Sequence, residues 1–163
     1  MNRRVSMVMG LVAFASLVGI AIAASPSAVP YPEGYRAWQH VKSMVIGEGH
    51  ALYASFGGIH HLYANKAAMT GYRTGAFPDG SVIVFDLLEA SSAAGATTEG
   101  ARKVVGVMHR NAKRYAATGG WGFEGFAGDS KTKRAVGDQA ATACFECHKA
   151  QAGHEYVFSA YRP

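Results

Sequence analysis

The chain has 163 residues, with 16 Lys and Arg against 11 Asp and Glu, a formal net charge of +5. That length suits one globular domain, and a mild basic excess with no Lys/Arg run gives no support to nucleic-acid binding. Hydrophobic residues make up 49% of the sequence, but part of that share lies in the first two dozen residues and reads as targeting rather than core.

Arg3 and Arg4 form a short positive region, Val5 to Ile22 is almost wholly apolar or small, and Ala21-Ile22-Ala23 fits a small-x-small cleavage site. Residues 1–23 therefore read as a signal peptide, cut after Ala23 or Ala24. A run of about 18 apolar residues can also just span a bilayer, but its Gly, Ala and Ser content and the adjoining cleavage motif favour removal. Asn2-Arg3-Arg4-Val5 lacks the rest of a twin-arginine signal, so ordinary export to the periplasm is expected, with no stable membrane span afterwards. Loss of Arg3 and Arg4 leaves 14 basic against 11 acidic residues, a net charge of +3. That excess suits a solvated face or an acidic redox partner.

Residues 24–33 are rich in Pro, Ser and Ala and read as an extended lead-in. The domain proper is expected over residues 34–163. Gly34 to His40 suits a short helix carrying Tyr35 and Trp38, and Val41–Ile46 and Ile59–Ala64 suit strands. Pro78-Asp79-Gly80 is a turn, followed by Ser81–Glu89, the strongest strand in the sequence. Along it Ile83, Phe85 and Leu87 point one way and Val82, Val84, Asp86 and Leu88 the other. Both faces are mostly apolar, which places this strand mid-sheet. Residues 91–100 read as a loop, and Lys103–His109 and Trp121–Phe126 as two further strands. Asp138 is a candidate N-cap for a short helix, Gln139 to Phe145. A tail with Tyr156, Phe158 and Tyr161 then packs back on the body. The fold class is α+β: a mainly antiparallel sheet between a short N-terminal helix and a C-terminal one.

The C-terminal helix runs into Cys144-Phe145-Glu146-Cys147-His148, which contains both cysteines of the chain. Cys-x-x-Cys-His is the attachment signature of haem c. Its spacing sets two thiols one helical turn apart, and the adjoining histidine falls under the macrocycle as the iron ligand. One covalent haem c on Cys144 and Cys147, with His148 as metal ligand, is the expectation. A zinc site would need a second Cys/His pair of suitable spacing, and a thioredoxin-like pair belongs near the start of a domain. The sixth iron position has candidates in Met44, Met69 and Met108 and in His40, His50, His60, His61, His109 and His154. A Met or His there would make an electron-transfer cytochrome.

Several ordered blocks resemble the cytochrome P-460 and cytochrome c′-beta family over nearly the whole mature chain. They are Tyr35-Arg36-Ala37-Trp38, Ile59-His60-His61-Leu62-Tyr63-Ala64-Asn65, Thr74 to Val82, Lys113-Arg114-Tyr115, Trp121-Gly122-Phe123, the haem motif and Val157-Phe158. The resemblance implies an antiparallel sheet with a C-terminal haem helix, a homodimer and a five-coordinate iron with an open distal side. In the P-460 branch a lysine on the strand after the turn cross-links to haem, and the enzyme oxidises hydroxylamine. In the c′-beta branch that position is apolar and the protein binds nitric oxide and similar gases. Phe85 stands at the lysine position, and no lysine occurs from Gly71 to Arg102, so the resemblance is closer to cytochrome c′-beta.

Phe85 is then a distal cap or, read without the family, sheet core. His60 falls where the family has distal polar residues and could hydrogen-bond a ligand or close the site, with His61 facing the other way. Glu124 is a candidate proton relay or a salt-bridged strand residue. Three functions stand in order: capture of a small gas such as nitric oxide or CO, oxidation of hydroxylamine or a related nitrogen compound, and electron transfer.

Overall fold

A computed structural model describes residues 29–163; the signal-peptide reading of residues 1–23 lies outside them. Five strands form one antiparallel meander in the order β1-β2-β3-β4-β5: Gln39–Ile46, Gly58–Ala64, Val82–Ala93, Ala96–Arg110 and Trp121–Ala127. Each strand pairs with its chain neighbour, so no connection crosses another strand of the sheet. β3 is the central strand, as its two apolar faces require.

The expected helix from Gly34 to His40 is one 3₁₀ turn, Tyr35–Ala37, and Gln39 and His40 already belong to β1. The expected loop over 91–100 is instead the outer half of a hairpin. Ala94 and Gly95 form its two-residue turn, both with positive φ (50° and 78°), the geometry that matches strand twist. The ladder continues past Ala90 through Ser91↔Thr98, Ser92↔Thr97 and Ala93↔Ala96. Small polar composition reads as loop; an established register overrides it.

Two short helices precede β3, α1 (Tyr53–Phe56) and α2 (Lys66–Thr74). Asn65 lies between β2 and α2 and caps the helix. Its Oδ1 accepts from Ala68 N (2.9 Å) and from Val82 N (3.1 Å), while its Nδ2 donates to the Gly80 carbonyl (2.9 Å). Gly75, with φ 81°, ends the helix in the left-handed conformation that glycine adopts freely. After β5 the chain runs through a 3₁₀ turn, Gly137–Gln139, then a π-helical stretch, Ala141–Phe145. The α3 turn, Glu146–His148, and a 3₁₀ segment, Lys149–His154, complete the run. Asp138 lies inside the first turn and caps nothing through its side chain.

Strand alternation sorts the core into two halves. Ala64, Ile83, Trp121 and Phe123 face α2, Phe77 and the C-terminal segment, including Phe145 and Val157. Val84, Val105, Val107 and Phe126 face the N-terminal segment through Val29, Tyr31, Tyr35 and Trp38. Asp86, fully buried on that second face, is held by Arg102 (2.7 Å) and Arg36 (3.6 Å). Among the described residues no helix is long and apolar enough to cross a membrane.

Asn65 joins a helix cap, a strand end and a turn. Asn65→Ala should lower the unfolding free energy by about 1–3 kcal/mol in urea denaturation, with the sheet spectrum retained.

Candidate functional site

The C-terminal segment lies on the face of the sheet formed by the odd-numbered residues of β3. The His148 ring sits 4.9 Å from that of Phe123 on β5 and 5.0 Å from that of Phe158. Phe145 packs beside them, 6.2 Å from Phe123 and 5.5 Å from Tyr156. His148 Nδ1 lies 2.7 Å from the Tyr156 carbonyl oxygen. A carbonyl only accepts, so Nδ1 carries the proton and Nε2 keeps its lone pair. Burial pushes the His148 pKa down, against the opposing pull of the Tyr156 carbonyl. The ring is therefore neutral at neutral pH, the state in which imidazole ligates metals.

Cys144 and Cys147 are both free thiols, the first half-buried and the second exposed. Burial, with Glu124 and Cys147 nearby, pushes the Cys144 thiol up to about 11. Reactive cysteines have depressed thiolate pKa values, and Cys144 is shifted the other way. No cluster of three or more His, Cys, Asp or Glu suited to a metal ion occurs among the described residues.

Phe85 and His60 emerge on the same face as Phe123. The register pairs Leu62 with Phe85, Phe85 with Gly106, and Gly106 with Gly125, two residues from Phe123. His60, across from Leu87, shares that face by alternation. Its ring lies 4.5 Å from that of Phe85. His60 is buried at 5% exposure, and its Nδ1 has no partner among the described residues. Burial first, then the charges of His61 and Lys42, lowers its pKa to about 4. It is a neutral imidazole held against an aromatic ring.

Sequence reasoning passed over Phe56, on α1, whose ring meets Phe85 edge-on at 5.7 Å with an interplanar angle of 82°. Its one signal is a lone aromatic before Gly57-Gly58. Lys103 Nζ donates to the Gly57 carbonyl at 2.7 Å and so anchors the end of that helix. Phe85, Phe56 and His60 thus form one cluster.

Alternation removes other candidates for the sixth iron position from this face. His61 points to the opposite side, where its ring nitrogens lie 2.6 Å from Ser43 Oγ and 2.7 Å from Glu99 Oε1. His40 and His109 share that side, against Tyr63 and Tyr115. Met44, opposite His60 on β1, remains. Met69 on α2 and Met108, paired with Ile83, also lie on the Phe85 side of the sheet, where they pack into the core. An open hollow between β1 and α2, bordered by Trp38, Lys66, Met69 and Arg73, takes in Met69 but none of Phe85, His60, Glu124 or the Cys144 to His148 motif.

Glu124 is placed elsewhere. Paired with Val107, it belongs to the face opposite Phe85. Its Oε2 takes an ion pair from Arg134 (2.7 Å), and its Oε1 accepts from the backbone N–H groups of Gly125, Val136 and Gly137. The carboxylate is saturated with donors and fastens the segment that leads to Cys144 and His148. Burial raises its pKa, but the Arg134 bond and the three N–H donors outweigh that, and the net shift is downward.

A carboxyl whose folded pKa lies below its unfolded one stabilises the fold above the unfolded value, near 4.5, and loses that contribution as pH falls through the folded value. Urea unfolding from neutral pH down to about pH 3 should show this loss. Glu124→Gln should be less stable at neutral pH by about 1–3 kcal/mol and have a flatter acid limb.

A search of the curated proteins returned no match. The Cytochrome P460 family model matches residues 32–159, which takes in all five strands, the Phe85 cluster and the Cys144 to His148 motif. That match spans well over half of the sequence and agrees with the resemblance seen in its motifs. The chain therefore belongs to the cytochrome P460 family, and with it to the haem proteins.

Proposed function

We propose that this chain is a periplasmic mono-haem cytochrome of the c′-beta type that captures small neutral gases such as nitric oxide or CO. In this reading residues 1–23 direct export, and the mature protein is a homodimer, as the family resemblance implies.

The residues present suit a haem c. Cys144 and Cys147 offer two free thiols one helical turn apart, and His148 offers an uncommitted Nε2, with Nδ1 fixed by the Tyr156 carbonyl. Phe158 beside His148, Met44 opposite His60 and Phe56 against Phe85 expose apolar surface (60%, 42% and 38%), as a face that receives an apolar disc would. Cys144 and Cys147 would hold the group and His148 its iron. A haem bound there would supply an iron that His148 could ligate and that could take up a small added ligand.

The observation that carries the gas-binding reading is the Phe85 cluster, on the same sheet face as His148. Phe85 and Phe56 meet edge to face and have no lone pair to offer iron. His60 keeps its neutral imidazole pressed on Phe85 rather than aimed into solvent. Such a face turns away charged or bulky ligands and admits a small neutral one when an aromatic ring swings aside. The hydroxylamine-oxidising branch depends on a lysine where this chain has Phe85, so that reading is the weaker one. An electron carrier would need Met44 or His60 to reach iron past the two phenyl rings.

Displacing the Phe85–Phe56 contact costs on the order of 1 kcal/mol. Phe85→Ala should therefore speed CO association with the reduced protein by about five- to tenfold, followed by flash photolysis; an unchanged rate would remove the role assigned to Phe85. Cys144→Ser with Cys147→Ser should abolish haem that survives a denaturing gel, while the wild-type band keeps its haem stain.

A further inference from the structure

His148 Nδ1 binds the Tyr156 carbonyl, and that carbonyl sits in a backbone turn of uncommon shape. Glu155 and Tyr156 are consecutive non-glycine residues with φ of 55° and 64°. Side-chain-bearing residues adopt this left-handed region reluctantly, and two in a row persist only where the surroundings impose them. The surroundings here are specific. Trp121, on β5 and fully buried, donates from Nε1 to the Glu155 carbonyl at 2.9 Å. Arg110, at the end of β4, reaches the Glu155 carboxylate at 3.3 Å, lies over the Trp121 ring at 5.6 Å, and also donates to the Gly119 carbonyl. Gly119 has φ 63°, and a Cβ there would sit 2.4 Å from the Tyr156 ring. Tyr156 N closes the turn onto the Gln151 carbonyl at 2.8 Å.

We propose that Trp121, Arg110 and Glu155 form a clasp that holds this strained turn and, through the Tyr156 carbonyl, sets the orientation and basicity of the His148 imidazole toward iron. All three are positioning residues, since none of them touches His148 in the hydrogen-bond network described. The inference rests on His148 being the iron ligand. Its physical basis is that an Nδ1–H···O=C bond gives the ring more imidazolate character, which strengthens the iron–nitrogen bond and favours the ferric state. A relaxed turn would lengthen that bond and weaken both effects. Sheet strands β4 and β5, rather than the helix that carries the motif, thereby govern the proximal ligand.

The experiment is resonance Raman spectroscopy of the reduced holoprotein with redox titration, on wild type, Trp121→Phe, Glu155→Gln and Glu155→Gly. Trp121→Phe removes the buried donor, Glu155→Gln removes the ion pair, and Glu155→Gly removes the ion pair and frees the backbone to leave the held conformation, at a half-buried position outside the core. The clasp predicts that the iron–histidine stretching mode moves to lower frequency, and the reduction potential to more positive values, in Trp121→Phe and Glu155→Gly, with Glu155→Gln between them and wild type. Lower melting temperatures with an unmoved mode and potential would overturn it, leaving the three residues a purely structural role. If Trp121→Phe does not fold, the two Glu155 variants decide alone. Absence of an iron–histidine mode from the wild type itself would instead count against five-coordinate ligation by His148, the reading on which the clasp depends.

Discussion

The period-two alternation of side chains along β3 is the constraint on which the rest depends. Ile83, Phe85 and Leu87 must leave the sheet on one side and Val84, Asp86 and Leu88 on the other. Antiparallel register carries that choice outward to His60 and Leu62 on β2, and to Phe123 on β5. Once the C-terminal segment packs on Phe123, His148 and Phe85 share a face without any direct contact to arrange it. A slip of one residue would send Phe85 to the Asp86 side and put a carboxylate in its place.

The same alternation separates chemistry from scaffolding. The face bearing His148 offers sulfur, imidazole and aromatic carbon. Apart from Arg110 with Glu155 beside Trp121, the charged pairs described here gather on the other face or along its rim: Asp86 with Arg102 and Arg36, His61 with Glu99, and Glu124 with Arg134. A buried carboxylate is tolerated only with its partners in place, and each of these acids has them. Proton-relay chemistry at Glu124 would require a carboxyl that exchanges its proton near neutral pH. Four donors hold it ionised instead.

Much of this was legible in the sequence. Four of the strands could be seen in runs of Val, Ile, Phe and Tyr, and β3 in its two apolar faces, because burial on a pleated surface leaves a local pattern. The motif from Cys144 to His148 is local by nature. What escaped depends on long-range register or backbone shape. Residues 91–100 look like a loop by composition and are a hairpin because β3 and β4 are already aligned. Helix α2 carried readable signals, Asn65 before it and Gly75 after it, hidden by the strand that ends at Ala64. Phe56 is an isolated aromatic until tertiary structure sets it on Phe85, and the Tyr156 carbonyl is a main-chain atom that no motif can name.

The central claim is that the iron held by His148 faces a covered but unligated site. The optical spectrum of the reduced protein, taken before and after CO is added, tests it most directly. The account predicts a five-coordinate, high-spin spectrum that converts fully to the CO form. A six-coordinate, low-spin spectrum unmoved by CO would contradict it, placing Met44 or His60 on the iron and making the protein an electron carrier.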